Sequence, residues 1–334
     1  MTYKMSKSGM SINGVPIGGS NIPATFGNTA NQGSGKYYYV NPTTGSDGNK
    51  GLSMDKPFAT IEKAHGLLTT NNHDTIVLSA TSAHSQSGDG TDEITLTKNR
   101  THWQGLDAVG RYSGQRSRVT MGATTASGGA IAIVQNTGVG NTFKNIKFDS
   151  SDTESTSLYT FADGGEYTMI DGCEFVKTSD LDETTSGIFL NNCDTGFYHG
   201  CTFGSLVGSH QVSVNRPVMK MNRETISGKV CRAGRIEKCT FLISTTSTDA
   251  AMIHGTGATD VERYLIIEDC IFINDVLGSA NCDEAIEFDS ALTQGYVLVV
   301  GGAEVGCTAF STTTGVFVNT PASAATAVSA TQAS

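Results

Sequence analysis

Three groups of side chains in this chain have the composition for acid–base chemistry. The first is Asp283-Glu284-Ala285-Ile286-Glu287-Phe288-Asp289. Read as a strand, it turns Ile286 and Phe288 inward and sets Asp283, Glu287 and Asp289 on the outside. Glycoside hydrolysis needs such carboxylates, about 5 to 10 Å apart on one exposed face, as acid and as base or nucleophile. The second group is Arg216-Pro217 with Lys220 and Arg223, cations suited to act as base in a lyase reaction. The third is His254-Gly255, considered with Arg235-Ile236-Glu237-Lys238. Each group also has a plain structural reading, because any exposed strand of a polar chain carries charges. Asp283, Glu287 and Asp289 are kept as the catalytic candidates, and a structural role is favoured over an enzymatic one.

The elements that must position these residues are set by a short recurring pattern. It reads Ile170-Asp171-Gly172-Cys173-Glu174-Phe175, and returns at Tyr198 to Phe203, Ile236 to Phe241 and Ile267 to Phe272. Phe143-Lys144-Asn145-Ile146-Lys147-Phe148 has the same form with Ile in the Cys slot, and Cys307 to Phe310 is a degenerate echo. From Phe148 to Phe310 the Phe-to-Phe spacings are 27, 28, 38, 31 and 38 residues. A fixed motif at irregular spacing describes a stacked structural rung with variable loops between rungs. The expected rung positions are Ile146, Phe148, Cys173, Phe175, Cys201, Phe203, Cys239, Phe241, Cys270, Phe272, Cys307 and Phe310. Short apolar runs accompany them at Thr75-Ile76-Val77-Leu78, Ile188-Phe189-Leu190, Val218-Met219-Lys220-Met221, Ala251-Met252-Ile253 and Val316-Phe317-Val318. Glu93 to Lys98 alternates with the period of a half-buried strand. These features give an all-β chain, a single-stranded parallel β-helix.

Composition agrees. The chain has 334 residues with 39 Gly, 6 Pro and only 16% charged residues, a sequence that makes turns and strands rather than surface helices. Net charge is −10 and no Lys/Arg cluster stands out, which argues against a nucleic-acid partner. No apolar run is long enough to span a membrane. Met1 to Ile12 has no apolar h-region, so a Sec-type leader is not expected there. Of eight Cys, five sit at or near the repeating position. They are read as free buried thiols, consistent with folding in a reducing compartment. No metal or cofactor is expected: CxxC and Cys/His spacings are absent, as is the spacing of a phosphate-cradling Gly-rich loop. Asp89-Gly90-Thr91-Asp92-Glu93 is read as an acidic turn without a full Ca²⁺ ligand set, and Gly128-Gly129 as a turn. Trp103 is assigned to the core and His199 to a rung turn.

The chain divides into three parts. Residues 1–36 form an extended arm, rich in Gly, Ser and Asn, which by composition cannot bury its own core. Residues 37–319 form the β-helix. Within it Lys56-Pro57 opens a capping helix over 57–69, with Phe58, Ile61, Ala64 and Leu67-Leu68 on one face. Residues 320–334 are an Ala/Thr/Ser-rich tail.

The opening of the second part resembles a known family. Tyr39-Val40-Asn41-Pro42, Gly45 to Gly51 and Lys56 to Ala64 are similar to the start of right-handed, pectate-lyase-like β-helix domains. Asp74 to Leu78, Gly90-Thr91, Glu93 to Leu96 and Trp103-Gln104-Gly105 continue the match, which covers roughly residues 37 to 318. Such domains occur in bacteriophage tail spikes and other virion appendages, and in secreted polysaccharide lyases and hydrolases. The resemblance implies a right-handed helix. It also implies a homotrimeric virion protein, either a capsid decoration or a short spike, attached to other virion proteins through residues 1–36 and meeting host surface polysaccharide. Its enzymatic alternative is a tail-spike depolymerase, a glycoside hydrolase or polysaccharide lyase. Arg216-Pro217 resembles an element of pectate lyases, without their accompanying acidic cluster. His254-Gly255 with Arg235-Ile236-Glu237-Lys238 resembles pieces of polygalacturonases, but in reversed order, and that likeness is set aside.

Overall fold

The computed structural model describes residues 3–6, 9–12, 15–17 and 35–319, apart from 87–93, 107–116, 122–131, 151–158, 178–186, 206–216, 224, 227, 246, 248–249 and 277–281. The acidic turn at Asp89, Arg216, Gly128-Gly129 and the tail 320–334 therefore lie outside the described residues. From Tyr37 the chain winds as a right-handed parallel β-helix of three sheets. The first sheet has ten described strands, running from Tyr37–Val40 to Val316–Asn319; the second and third have eight each. From Thr75–Leu78 onward each coil visits the first, second and third sheet in that order.

The recurring motif is the corner between the first and second sheets. Ile170, Tyr198, Ile236 and Ile267 end the first-sheet strands pointing inward, and all are fully buried. The next residue but one turns the chain and holds a positive φ: 54° at Asn145, 63° at Gly172, 60° at Gly200, 52° at Lys238 and Asp269, and 67° at Gly301. Gly, Asn and Asp take this conformation at low cost, which explains their preference here. Cys then enters the core, followed by Phe on the second-sheet strand. Successive Phe rings stack in register: Phe148 on Phe175, Phe175 on Phe203, Phe203 on Phe241 and Phe241 on Phe272, with centroids 5.3, 5.2, 5.0 and 4.7 Å apart. Among the described residues all eight Cys are free and buried. The Cys239 thiol accepts the Cys201 N–H at 3.3 Å and donates to the Tyr198 carbonyl at 3.5 Å, so the ladder also satisfies corner backbone. Trp103 lies inside, 5.9 Å from Phe143.

Four expectations are corrected. Helix Ile61–Leu67 is shorter than 57–69, because the Thr60 side chain caps it by accepting the Lys63 N–H at 3.2 Å. Phe58 belongs instead to the first coil, bridged to Val40. Ile61, Ala64 and Leu68 are buried, whereas Leu67 is exposed. Cys307 and Phe310 are not the last rung: Cys307 opens a third-sheet strand opposite Cys282. The register puts Glu304 opposite Phe272, so a carboxylate occupies the final Phe slot and the chain reaches the next sheet directly after it. Finally, the N-terminal arm is not wholly extended: Tyr3–Ser6, Gly9–Ile12 and Val15–Ile17 form a three-stranded antiparallel sheet.

Removing one ring from the stack leaves a cavity that rigid neighbouring rungs cannot fill. Phe203→Ala is expected to cost about 3 to 5 kcal/mol, read as a lowered unfolding midpoint in urea. A change below about 1 kcal/mol would contradict the packed core.

Candidate functional site

The outer face of the third sheet changes character along the solenoid. On its inner side Phe161, Phe189, Met219, Ile253 and Ile286 are stacked in register. On its outer side the matching column is Ala162, Leu190, Lys220, His254 and Glu287. Its first part is apolar: Ala132, Tyr159, Ala162, Leu190 and Ile226 form a second buried cluster. Then three consecutive rungs present an ammonium, an imidazole and a carboxylate. Lys220 and His254 are buried, and Glu287 is half-buried.

Asp289 and Asp260 complete the group. Each sits in the turn that follows a third-sheet strand, one coil apart. Asp289 accepts a hydrogen bond from His254 Nε2 at 2.9 Å, with the His254 side chain 2% exposed and that of Asp289 47%. Asp260 accepts the Gly257 N–H at 2.8 Å and the Arg223 N–H at 3.1 Å. Burial lowers the His254 pKa; the Asp289 carboxylate opposes this and the Lys220 charge adds to it. The ring is therefore neutral, with Nε2 carrying the proton given to Asp289. Nδ1 is then a lone pair, buried and without a hydrogen-bond partner. Burial likewise lowers the Lys220 pKa, against the charges of Asp289 and Asp260. It raises that of Asp260, against the hydrogen bonds it accepts.

Geometry sorts the candidates. Asp283 is exposed on the same outer face as Glu287 and Asp289. At about 3.3 Å per residue, Asp283 stands roughly 13 Å along the strand from Glu287, while Asp289, in the turn two residues past Glu287, is at most roughly 7 Å from it at Cα. Only the latter pair falls in the range for cooperation on one glycosidic bond. Glu284, between them in sequence, turns inward and accepts the Thr312 N–H at 2.9 Å. Of the second group, Lys220 joins the site, Arg223 contributes its backbone to Asp260, and Pro217 is buried. Of the third, His254 joins it, while Arg235 lies on the outer face of the first sheet with Glu237 and Glu268. His199 is also on the first sheet, 2.9 Å from Asp171.

Sequence reasoning thus named Lys220, His254 and Glu287 in three separate groups and missed that they are one column. The available signal was coil alignment: each lies next to the inward residue of its third-sheet strand. Asp260 was missed outright, since a single turn carboxylate has no pattern. Among the described residues no three His, Cys, Asp or Glu are arranged to hold a metal ion, and no helix is long and apolar enough to cross a membrane.

Solved structures similar to this chain include the pectate lyase Pel9A, at 13% identity and TM-score 0.56, with 81% of this chain and 64% of that one covered. A rhamnogalacturonan lyase matches at 12% identity and TM-score 0.50, with 81% and 74% covered. At these identities the likeness establishes the parallel β-helix fold. The chain spans 64% of the length of the first of these enzymes. No family model matches the chain, and no curated protein matches it.

A histidine kept neutral by burial stabilises the fold above its unfolded pKa of about 6.5. That contribution is lost as pH falls through this value toward the lower folded pKa. Imidazole ¹⁵N NMR should find His254 still neutral and protonated at Nε2 at pH 6.5. Asp289→Asn, which removes the group favouring the charged ring, should lower its pKa further. A ring that charges at the ordinary value would contradict this geometry.

Proposed function

We propose that this chain is a virion appendage protein of the bacteriophage tail-spike type that binds host surface polysaccharide along the outer face of its third sheet and cleaves it there. The observation that carries the reading is the in-register column Lys220, His254 and Glu287 closed by Asp289. Two carboxylates two residues apart meet solvent, and beneath them a neutral imidazole orients one of the two. In cleavage, one carboxyl group donates its proton to the departing glycosidic oxygen. The other withdraws a proton, from water in hydrolysis or from the sugar carbon in elimination. His254 holds the Asp289 carboxylate in place, as an orienting partner does in other acid–base dyads. Lys220 supplies the positive field that an acidic sugar would meet. The two structural neighbours are named a pectate lyase and a rhamnogalacturonan lyase, which supports a glycan-directed reading of this face.

The enzyme is tested on a panel of acidic and neutral bacterial surface polysaccharides, scoring new reducing ends and unsaturated, ultraviolet-absorbing products. Glu287→Gln and Asp289→Asn are each expected to lower turnover by about 10²- to 10⁴-fold, with the unfolding midpoint little changed. Asp283→Asn is expected to leave turnover intact. Unsaturated products would assign elimination, and reducing ends alone hydrolysis.

A second reading, a non-catalytic homotrimeric appendage that only adheres to glycan, is favoured by the burial of Lys220 and His254 away from solvent. Glycan-array binding without product release would establish it over cleavage. In both readings residues 1–36, with their separate antiparallel sheet, attach the protein to other virion proteins. Light scattering of the full chain and of a chain starting at Gly35 should return a trimer in each. A monomer in both would overturn the appendage reading.

A further inference from the structure

The outer faces of the first and second sheets also change character along the solenoid. In the earlier coils they are ionic. Lys144, Asp171, His199 and Glu237 form one register column on the first sheet, with Lys144 3.3 Å and His199 2.9 Å from Asp171. On the second sheet Lys147 lies 3.5 Å from Glu174, its partner one coil later. Toward the C-terminal end both faces turn apolar. On the first sheet Tyr264 stands opposite Tyr296, and Ile266, Leu298 and Phe317 follow one another in register. The rings of Tyr264, Tyr296 and Phe317 touch in sequence, with centroids 6.3 and 6.4 Å apart, and are 36%, 43% and 58% exposed. On the second sheet the column is Leu242, Ile273 and Val305, with Ile271 beside it, 39% exposed. The residues that alternate with these along the strands, such as Leu265, Val297 and Phe272, are the buried ones.

So much open apolar surface is unusual on a chain that works alone. At about 200 Å² for a large ring, the three aromatic residues by themselves leave roughly 270 Å² open. A stable interface takes about 800 Å² from each partner, of which about 57% is apolar. With the second face added, one chain comes near the roughly 450 Å² of apolar area that such a contact needs. The charges bordering the first face are already neutralised within the chain: Arg235 pairs with Glu237 and Glu268, and Arg232 with Asp194 and Glu262.

Two features select what covers these faces. They lie on the same coils, on either side of the corner that joins the first sheet to the second. A foreign partner accounts for one face. A second copy accounts for both, because the first-sheet face of one copy can meet the second-sheet face of the next. Each face is also a ladder with the strand spacing of about 4.8 Å, and its side chains seat between the rungs of another ladder with the same repeat. A contact between two unlike faces is heterologous and closes into a ring by repeating one rotation. The third sheet, with Lys220, His254 and Glu287, stays outside that contact.

We infer that copies of this chain associate side by side, the face around Tyr296 on the first sheet of one copy packing on the face around Ile271 on the second sheet of the next. The inference rests on the trimer reading above and names its surface. Light scattering over a dilution series compares the full chain with Tyr296→Arg, Ile271→Arg and a control, Leu52→Arg, at a residue that is 53% exposed far from both faces in sequence. The wild-type chain and the control are expected to be trimers. Each of the other two substitutions is expected to raise the concentration at which the trimer dissociates by at least about tenfold, with the circular dichroism spectrum unchanged. An equal mixture of Tyr296→Arg and Ile271→Arg is expected to give dimers containing one copy of each and nothing larger, because only one intact pair of faces remains. A monomeric wild-type chain would overturn the trimer reading and this inference with it. A trimer that survives both substitutions would overturn the surface and leave the trimer reading standing. Homodimers of either variant, or a mixture that stays monomeric, would overturn the pairing of unlike faces.

Discussion

The constraint on which the structure depends is that successive coils stack in register, each strand paired only with the same strand one coil before and after. In a solenoid there is no central core to average over errors. Each rung must present to the next a surface of the same shape, or the backbone pairing of three sheets fails at once. Stacked Phe rings meet this requirement because a flat ring repeats on itself at the spacing of paired strands. The thiols add a second repeat, with Cys239 and Cys270 each linking a corner N–H of one coil to a carbonyl of another. The positive-φ corner fixes the phase between the first and second sheets and so transmits register from coil to coil.

This constraint also decides where variation is tolerated. The connection from first to second sheet is held at one or two residues from Asn145 to Gly302. The connections entering the third sheet, such as those before Tyr159, Phe189, Met219 and Cys282, and the one leaving it between Met221 and Cys231, vary most in length. Sequence freedom is therefore concentrated beside the third sheet, and that is where the outer column turns from Ala162 and Leu190 to Lys220, His254 and Glu287. Charged groups are stacked there at strand spacing because the fold stacks everything. Their mixture of signs offsets what a column of like charges would cost. A rigid sheet holds the group, and variable connections frame it, the usual division between scaffold and site.

The buried polar groups mark the points where repetition is given up. Asp163 is fully buried and receives hydrogen bonds from Asn136, Thr168, Tyr198 and the Gly165 N–H. Burial raises its pKa and these donors oppose the rise. That network is nearly saturated, and it rigidifies a corner. His254 and Glu304 differ from it: each keeps one buried polar atom without a partner. In the first case the atom belongs to an ionic column on the outer face, and in the second to the last rung of the core.

What the sequence determined by itself was the repeat. The apolar-x-x-Cys-x-Phe pattern gave the inward column, the corner and the all-β class, because rung geometry is local and each residue of the motif acts within six positions. Where locality ended, legibility ended too. Cys307 and Phe310 kept the look of a rung without its register, and the helix boundary followed a Thr cap rather than the apolar period. The candidate site needed the tertiary structure most. Lys220, His254 and Glu287 are about one coil apart in sequence, and coil length is set by loops of irregular size, so no fixed spacing announces that they meet. Only the pairing of parallel strands brings them into one column, and only burial decides that His254 is neutral beside Asp289 while Asp283, on the same strand, stands alone in solvent.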